Sequence, residues 1–181
     1  MDEHDVDSLL EKVRKGDVEA LAVLCEYFYP QVLKYMYYRV DAVSAEDLTG
    51  EVFLRVLRHI DEQSGSFVAW LYRIAANVVI DHARAAKIRR EGPMDEQIME
   101  SIVDDKNPAE VITRQIDTYK AIVRLTDDQR ELITLKFIQG LSNADVAEIT
   151  GRSEEAIRGL QFRALSALRR ILSGEEQAHE H

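Results

Sequence analysis

The stretch that decides the fold is LTDDQRELITLKFIQGLSNADVAEITGRSEEAIRGLQFRALSALRRIL, Leu125 to Leu172. Thr126-Asp127-Asp128-Gln129 has the form of a capping box, in which the Thr hydroxyl accepts an orphan backbone N–H and Gln reaches back. The helix it starts is expected to stop near Gly140, since glycine accepts the left-handed conformation of a helix end. Ser142 caps a short helix of about Asn143 to Ile149, with Asp145 at its positive end. Thr150-Gly151-Arg152-Ser153 then turns the chain, and Ser153 caps a long helix from Glu154 to Leu172. Helix, glycine turn and longer helix make a helix-turn-helix outline.

At 100° per residue, Ile157, Leu160, Ala164, Leu168 and Ile171 share one stripe, which is the expected buried face. Opposite lie Glu155, Arg158, Gly159, Phe162, Arg163, Ser166 and Arg170. Five arginines against two glutamates between Arg152 and Arg170 make this segment locally basic in a chain of net charge −10. Such a face suits a major groove, although a helical hairpin with a solvated arginine face has the same outline. Phe162, one turn from Arg158 and off the apolar stripe, is expected to be exposed. It could meet a thymine methyl, an inhibitory partner, or the other half of the chain.

Outward from this unit, 181 residues with 46% hydrophobic content leave room for one or two cores. No apolar run approaches the ~20 residues of a membrane span, so no membrane insertion is expected. No secretory signal is visible either, and the single Cys25 fits a small core residue. Together these features point to the cytoplasm. The acidic balance argues against a free-standing, non-specific nucleic-acid binder, whose affinity would come from phosphate neutralisation. Any DNA contact must be local or depend on a larger partner.

Ser8 to Lys15 reads as a helix ending at Gly16, and Asp17 caps the next, with Leu21, Leu24, Phe28, Val32 and Tyr35 at helical spacing. Pro30 is expected to bend that helix without ending it. The tyrosines at 27, 29, 35, 37 and 38 fit core and rim better than a base-stacking cluster. Ser44-Ala45-Glu46-Asp47 starts a further helix carrying Leu48, Val52, Val56 and Ile60, with Gly50 inside it. Asp61 to Ser66 reads as a flexible loop, and Ser66 can cap a helix from Phe67 to about Arg90. That helix buries Phe67, Leu71, Ile74 and Val78, and gathers Arg73, Asn77, Asp81, Arg84 and Lys87 on another face. From Glu91 to about Thr118, Gly92, Pro93 and Pro108 and an acidic bias mark a linker, with room for short helices of its own. The fold class expected is therefore all-α. A first domain spans 1–91, an acidic linker 92–118, a helix-turn-helix domain 119–173 and a polar tail 174–181. One Glu-x-x-His, Glu176 and His179, falls short of a di-iron pattern. No paired carboxylates, metal cluster or glycine-rich phosphate loop suggests an enzyme or a cofactor.

Four segments in order carry a resemblance. They are Glu46-Asp47-Leu48-Thr49-Gly50-Glu51-Val52-Phe53, then Phe67-Val68-Ala69-Trp70-Leu71-Tyr72-Arg73-Ile74-Ala75-Ala76-Asn77 continued by Asp81-His82-Ala83-Arg84. Leu141-Ser142-Asn143-Ala144-Asp145-Val146-Ala147 and Arg163-Ala164 follow. From about Asp17 to Leu172 the chain resembles the two-domain extracytoplasmic-function sigma factors of bacterial RNA polymerase. The resemblance implies a cytoplasmic, non-catalytic protein that partners core RNA polymerase and promoter DNA and is often held inactive by an anti-sigma protein. It implies clamp docking by the Asp47–Arg58 helix, through Asp47, Leu48, Glu51, Phe53 and Arg55. The −10 element would meet Ser64, Ser66, Arg73, Asn77, Asp81, Arg84, Lys87, Arg89 and Arg90. The −35 element would meet Arg152, Ser153, Glu154, Glu155, Arg158, Phe162 and Arg163. The linker's Asp95, Glu96, Glu100, Asp104 and Asp105 would suit a positively charged polymerase channel.

This chain departs from the family pattern at three places. Gly50 stands where relatives usually carry Gln, and Ala85, Ala86 and Ile88 dilute the basic run after Asp81. Ala156 to Arg163 replaces a Thr-Val-Lys-Ser-Arg type of segment, so the −35 preference does not carry over. A promoter-binding regulator that works without polymerase is the alternative reading.

Overall fold

Asp17 sets the start of a long apolar helix in the first half. Its carboxylate accepts from Ala20 N–H at 3.0 Å, and the preceding Gly16 has φ 85°, so the chain reverses between two helices. In the computed structural model, which describes residues 1, 3–89 and 117–174, the chain divides into two compact units, residues 1–98 and 99–181. The described residues form helices and turns and contain no strand.

The first unit holds α1 (Glu3–Arg14), α2 (Val18–Arg39), α3 (Ala42–His59) and α4 (Phe67–Arg89). α1 starts earlier than the sequence reading placed it. α2 runs unbroken through Pro30. α3 also starts earlier than expected. Asp41, not Ser44, is its cap, with Asp41 Oδ1 accepting from Ser44 N–H at 2.9 Å. α1 packs on α2, and α2, α3 and α4 pack pairwise on one another. Between them Val32, Tyr35, Met36, Val52, Val56, Leu71 and Tyr72 are almost completely buried. Burying large side chains of this kind is worth roughly 1.5–3 kcal/mol each.

Two stripes need correction. On α3, Ala45 and Thr49 are buried and Leu48 only half-buried, because the Thr49 hydroxyl donates to Ala45 O at 2.7 Å and can enter the core. On α4, Ile74 is half-buried whereas Ala69, Tyr72, Ala75 and Val79 are buried, so the covered face is wider than a single stripe. Of the five tyrosines, Tyr35 is core and the others are rim.

The second unit begins, in its described part, with helical residues 117–123, here α5. α6 (Asp127–Ile133) follows, and Gln129 Oε1 accepts from Thr126 N–H at 3.4 Å. The α-helix does not run on to Gly140. It widens into a π turn, Thr134–Ile138, in which Gln139 N–H donates to Thr134 O at 3.0 Å, and Gly140 (φ 77°) ends it. α7 (Asn143–Thr150) and α8 (Glu154–Ser173) complete the unit, with α6 and α7 both packed on α8. Ile157, Leu160 and Ala164 are buried as expected. Ala167 takes the next core position, and Leu168 and Ile171 are half-buried. Arg90, the acidic linker residues, Glu176 and His179 lie outside the described residues. So does the Arg89 side chain.

Candidate nucleic-acid interface

The turn between α7 and α8 is built by local hydrogen bonds. Ser142 Oγ accepts from Asp145 N–H at 3.1 Å and Asp145 Oδ2 accepts from Ser142 N–H at 3.0 Å, a reciprocal cap at the start of α7. Gly151 ends α7 at φ 66°, ψ 26°, the left-handed conformation that lets the next helix depart at an angle. Ser153 Oγ accepts from Ala156 N–H at 3.2 Å and starts α8. Arg152 adds a tie across the turn, Nη2 to Asp128 Oδ2 of α6 at 2.7 Å, so its guanidinium is already engaged inside the unit.

The outer face of α8 is open. Glu154, Glu155, Arg158, Phe162 and Arg163 are exposed, and Phe162 is 75% exposed, in keeping with its position off the apolar stripe. Arg158 Nη1 lies 3.8 Å from Glu154 Oε2, a solvated pair that leaves the guanidinium free to leave. Arg163 reaches back along the helix, with Nη1 3.8 Å from the place a Cβ on Gly159 would occupy. Leu165 and Leu172 extend the apolar part of the same face at 40% and 53% exposure.

In the first unit, Asn77, Asp81, Arg84 and Lys87 of α4 are exposed, and Arg73 is half-buried. The loop before α4 is not the loose segment that its composition suggested. Ile60–Glu62 is a 3-10 turn, and Gln63 is buried. Arg14 of α1 donates through Nη2 to Gln63 O at 3.0 Å and to Gln63 Oε1 at 2.8 Å, and Gln63 Nε2 donates to Gly65 O at 2.7 Å. Ser64 is left exposed at the tip, and Ser66 Oγ caps α4 by accepting from Ala69 N–H at 3.2 Å. The Arg14–Gln63 link has no local sequence signal, because 49 residues separate the two side chains.

α3 presents Asp47 exposed, with Leu48, Glu51, Phe53 and Arg55 half-buried. Phe53 stacks on Tyr29 with centroids 5.5 Å apart. Gly50 has open space around it, nothing lying within 4 Å of a notional Cβ, so no surface of its own unit approaches it. Arg55 joins the α3 and α4 groups, its Nε 2.8 Å from Glu51 Oε1 and its Nη1 2.9 Å from Asp81 Oδ2. The hydrogen bond to Glu51, and then that to Asp81, holds the Arg55 guanidinium in its charged form, raising its pKa. No helix among the described residues is long and apolar enough to cross a membrane.

Comparison with known proteins accounts for both units. Residues 24–88 match the family model Sigma-70 region 2, and residues 116–168 match Sigma-70, region 4. The ECF RNA polymerase sigma factor BldN of Streptomyces coelicolor is 37% identical over 91% of this chain, which spans 64% of that relative's length. The ECF RNA polymerase sigma factor SigC of Mycobacterium tuberculosis is 33% identical, with 92% of this chain and 91% of the relative covered. Among solved structures, the sigma factor RpoE of Bartonella quintana, in complex with the anti-sigma factor NepR, has the same fold. Its TM-score is 0.72 at 22% identity, covering 84% of this chain and 96% of that one. CnrH, solved with the cytosolic domain of CnrY, superposes with TM-score 0.70 at 20% identity, covering 94% of this chain and 98% of that one. The chain therefore belongs to the extracytoplasmic-function sigma factors of the sigma-70 family, alternative sigma factors that direct RNA polymerase to promoters.

Proposed function

We propose that the chain docks on the clamp of core RNA polymerase through the exposed side of α3, with Asp47 and Glu51 as the acidic contacts. α4 and the Ser64–Ser66 loop take the −10 element, and α8 reads the −35 element with Arg158 and Phe162. The protein works in the cytoplasm, where its polymerase is, and an anti-sigma protein that covers the apolar part of the α8 face holds it inactive. The observation that carries this reading is the pairing of two exposed faces, on α4 and α8, each inside a segment that matches a sigma-70 region. Arg158 and Phe162 lie one turn apart there, the first suited to a guanine edge or a phosphate and the second to a methyl group.

Net charge −10 makes the free protein a poor DNA ligand, so promoter specificity is expected only on the core enzyme. This separates the reading from a regulator that acts without polymerase, which would bind a duplex alone at nanomolar affinity. The test is charge reversal, Asp47→Arg or Glu51→Arg. Either variant is expected to lose co-purification with core polymerase while its helix content by circular dichroism stays at the wild-type value. Undiminished co-purification would remove the clamp assignment.

A further inference from the structure

α4 carries a single carboxylate, Asp81, in a run whose other charged groups toward its C-terminal end are Arg84, Lys87 and Arg89. Asp81 is half-exposed, with a side-chain accessibility of 50%, and it lies on the face that also presents Asn77 and Arg84. A bare carboxylate there would repel a nucleic-acid strand laid along the helix. It is not bare. Arg55, from the neighbouring helix α3, places Nη1 2.9 Å from Asp81 Oδ2, while its Nε is held 2.8 Å from Glu51 Oε1. Glu51 lies one turn before Arg55 on the same helix and so fixes the direction in which the guanidinium fork points. Side-chain accessibility at Arg55 is 32%, which leaves the ion pair at the edge of the exposed face, not in the core.

We propose that Arg55 is a positioning residue for promoter DNA: it pairs with Asp81 and holds it against α3, and this lowers the repulsion that the Asp81 carboxylate offers the −10 strand. Arg55 touches no base in this role. Its effect runs through Asp81, and Glu51 orients it. The bridge also places a side chain of the polymerase-docking helix in direct contact with the strand-binding helix. This inference rests on the proposed assignment of α4 to the −10 element.

The experiment uses the full chain bound to saturating core polymerase, so that docking is not what is read. Binding of a labelled single-stranded −10 oligonucleotide is titrated with wild type, Arg55→Ala, Asp81→Asn and the double variant. Arg55→Ala is expected to weaken strand binding about two- to five-fold, the range of an exposed ion pair. Asp81→Asn removes only the charge and keeps a side chain that can hydrogen-bond the strand, so it is expected to bind at least as well as wild type. The double variant is expected to return to the Asp81→Asn level, because the carboxylate that needed covering is gone. A double variant as weak as Arg55→Ala, or an Arg55→Ala variant that binds like wild type, would overturn the shield. Arg84→Ala and Lys87→Ala serve as controls. If neither weakens strand binding, the −10 assignment of α4 falls and the shield falls with it. If both weaken it while Asp81→Asn fails to rescue Arg55→Ala, the shield alone is refuted.

Discussion

Replacing Phe162 by alanine separates a reading role from a structural one. A phenylalanine side chain offers about 200 Å² for burial, and Phe162 is 75% exposed. About 50 Å² is therefore covered within the second unit, worth at most ~1 kcal/mol at 25 cal/mol per Å². Ile157, five residues earlier on α8, is fully buried, and its truncation to alanine is expected to cost ~2–5 kcal/mol. The same bookkeeping puts a ceiling of roughly 4 kcal/mol on what a partner gains by covering the rest of the Phe162 ring. Interfaces realise only part of such a ceiling. A loss of ~1–3 kcal/mol in binding, roughly 5- to 150-fold in affinity, is the expected scale. The assay pairs chemical denaturation of the full chain with competition between matched and mismatched −35 duplexes on the assembled holoenzyme. Phe162→Ala should unfold within ~1 kcal/mol of wild type and lose either −35 discrimination or inhibitor affinity. A destabilisation above ~2 kcal/mol, or unchanged discrimination together with unchanged inhibitor binding, would refute the assignment.

Three further outcomes are expected. Arg158→Ala should cost ~1–3 kcal/mol of promoter binding and relax preference at one base pair, whereas Arg170→Ala should weaken all sequences alike; a selection on randomised −35 elements tells them apart. Gly50→Ala should raise the stability of the first unit by ~0.5–1 kcal/mol in urea denaturation, since α3 has space for the methyl group at that point. Burial alone would push the Asp41 carboxyl up, but hydrogen bonds from the Ser44 N–H and hydroxyl, with His82 nearby, hold it below its usual value. A carboxyl held low in the folded state stabilises it above the ordinary carboxylate value of 3.8, and that stability is lost as pH falls through the lowered value. Asp41→Ala should therefore cost ~1 kcal/mol at neutral pH, and the difference from wild type should shrink below about pH 4.

The helix-turn-helix was legible because each of its boundaries is written in local chemistry. Ser142, Gly151 and Ser153 act on neighbours within three or four residues, and all three cap as their residue types predict. The π turn was not legible. It needs one extra residue per turn at Thr134–Ile138, and no residue type marks that insertion. The end of the α8 stripe drifted for a related reason. Burial steps from Ile157 to Leu160, Ala164 and Ala167 by three, four and three residues, so the covered stripe winds slowly round α8 and leaves Leu168 and Ile171 at its edge. At the candidate site, exposure of Asn77, Arg84, Lys87, Arg158 and Phe162 followed from periodicity alone. The Arg14–Gln63 and Arg55–Asp81 links did not, because they join residues 49 and 26 positions apart that only tertiary packing brings together.

The most direct measurement is in vitro transcription with purified core polymerase on a pool of random promoters, with and without this protein. The account predicts transcripts only when both are present. The enriched templates should share two separated elements, of which the upstream one loses definition with Arg158→Ala and the downstream one weakens with Arg84→Ala. Transcription that does not depend on the protein, or enrichment of a single element bound equally well without polymerase, would contradict it.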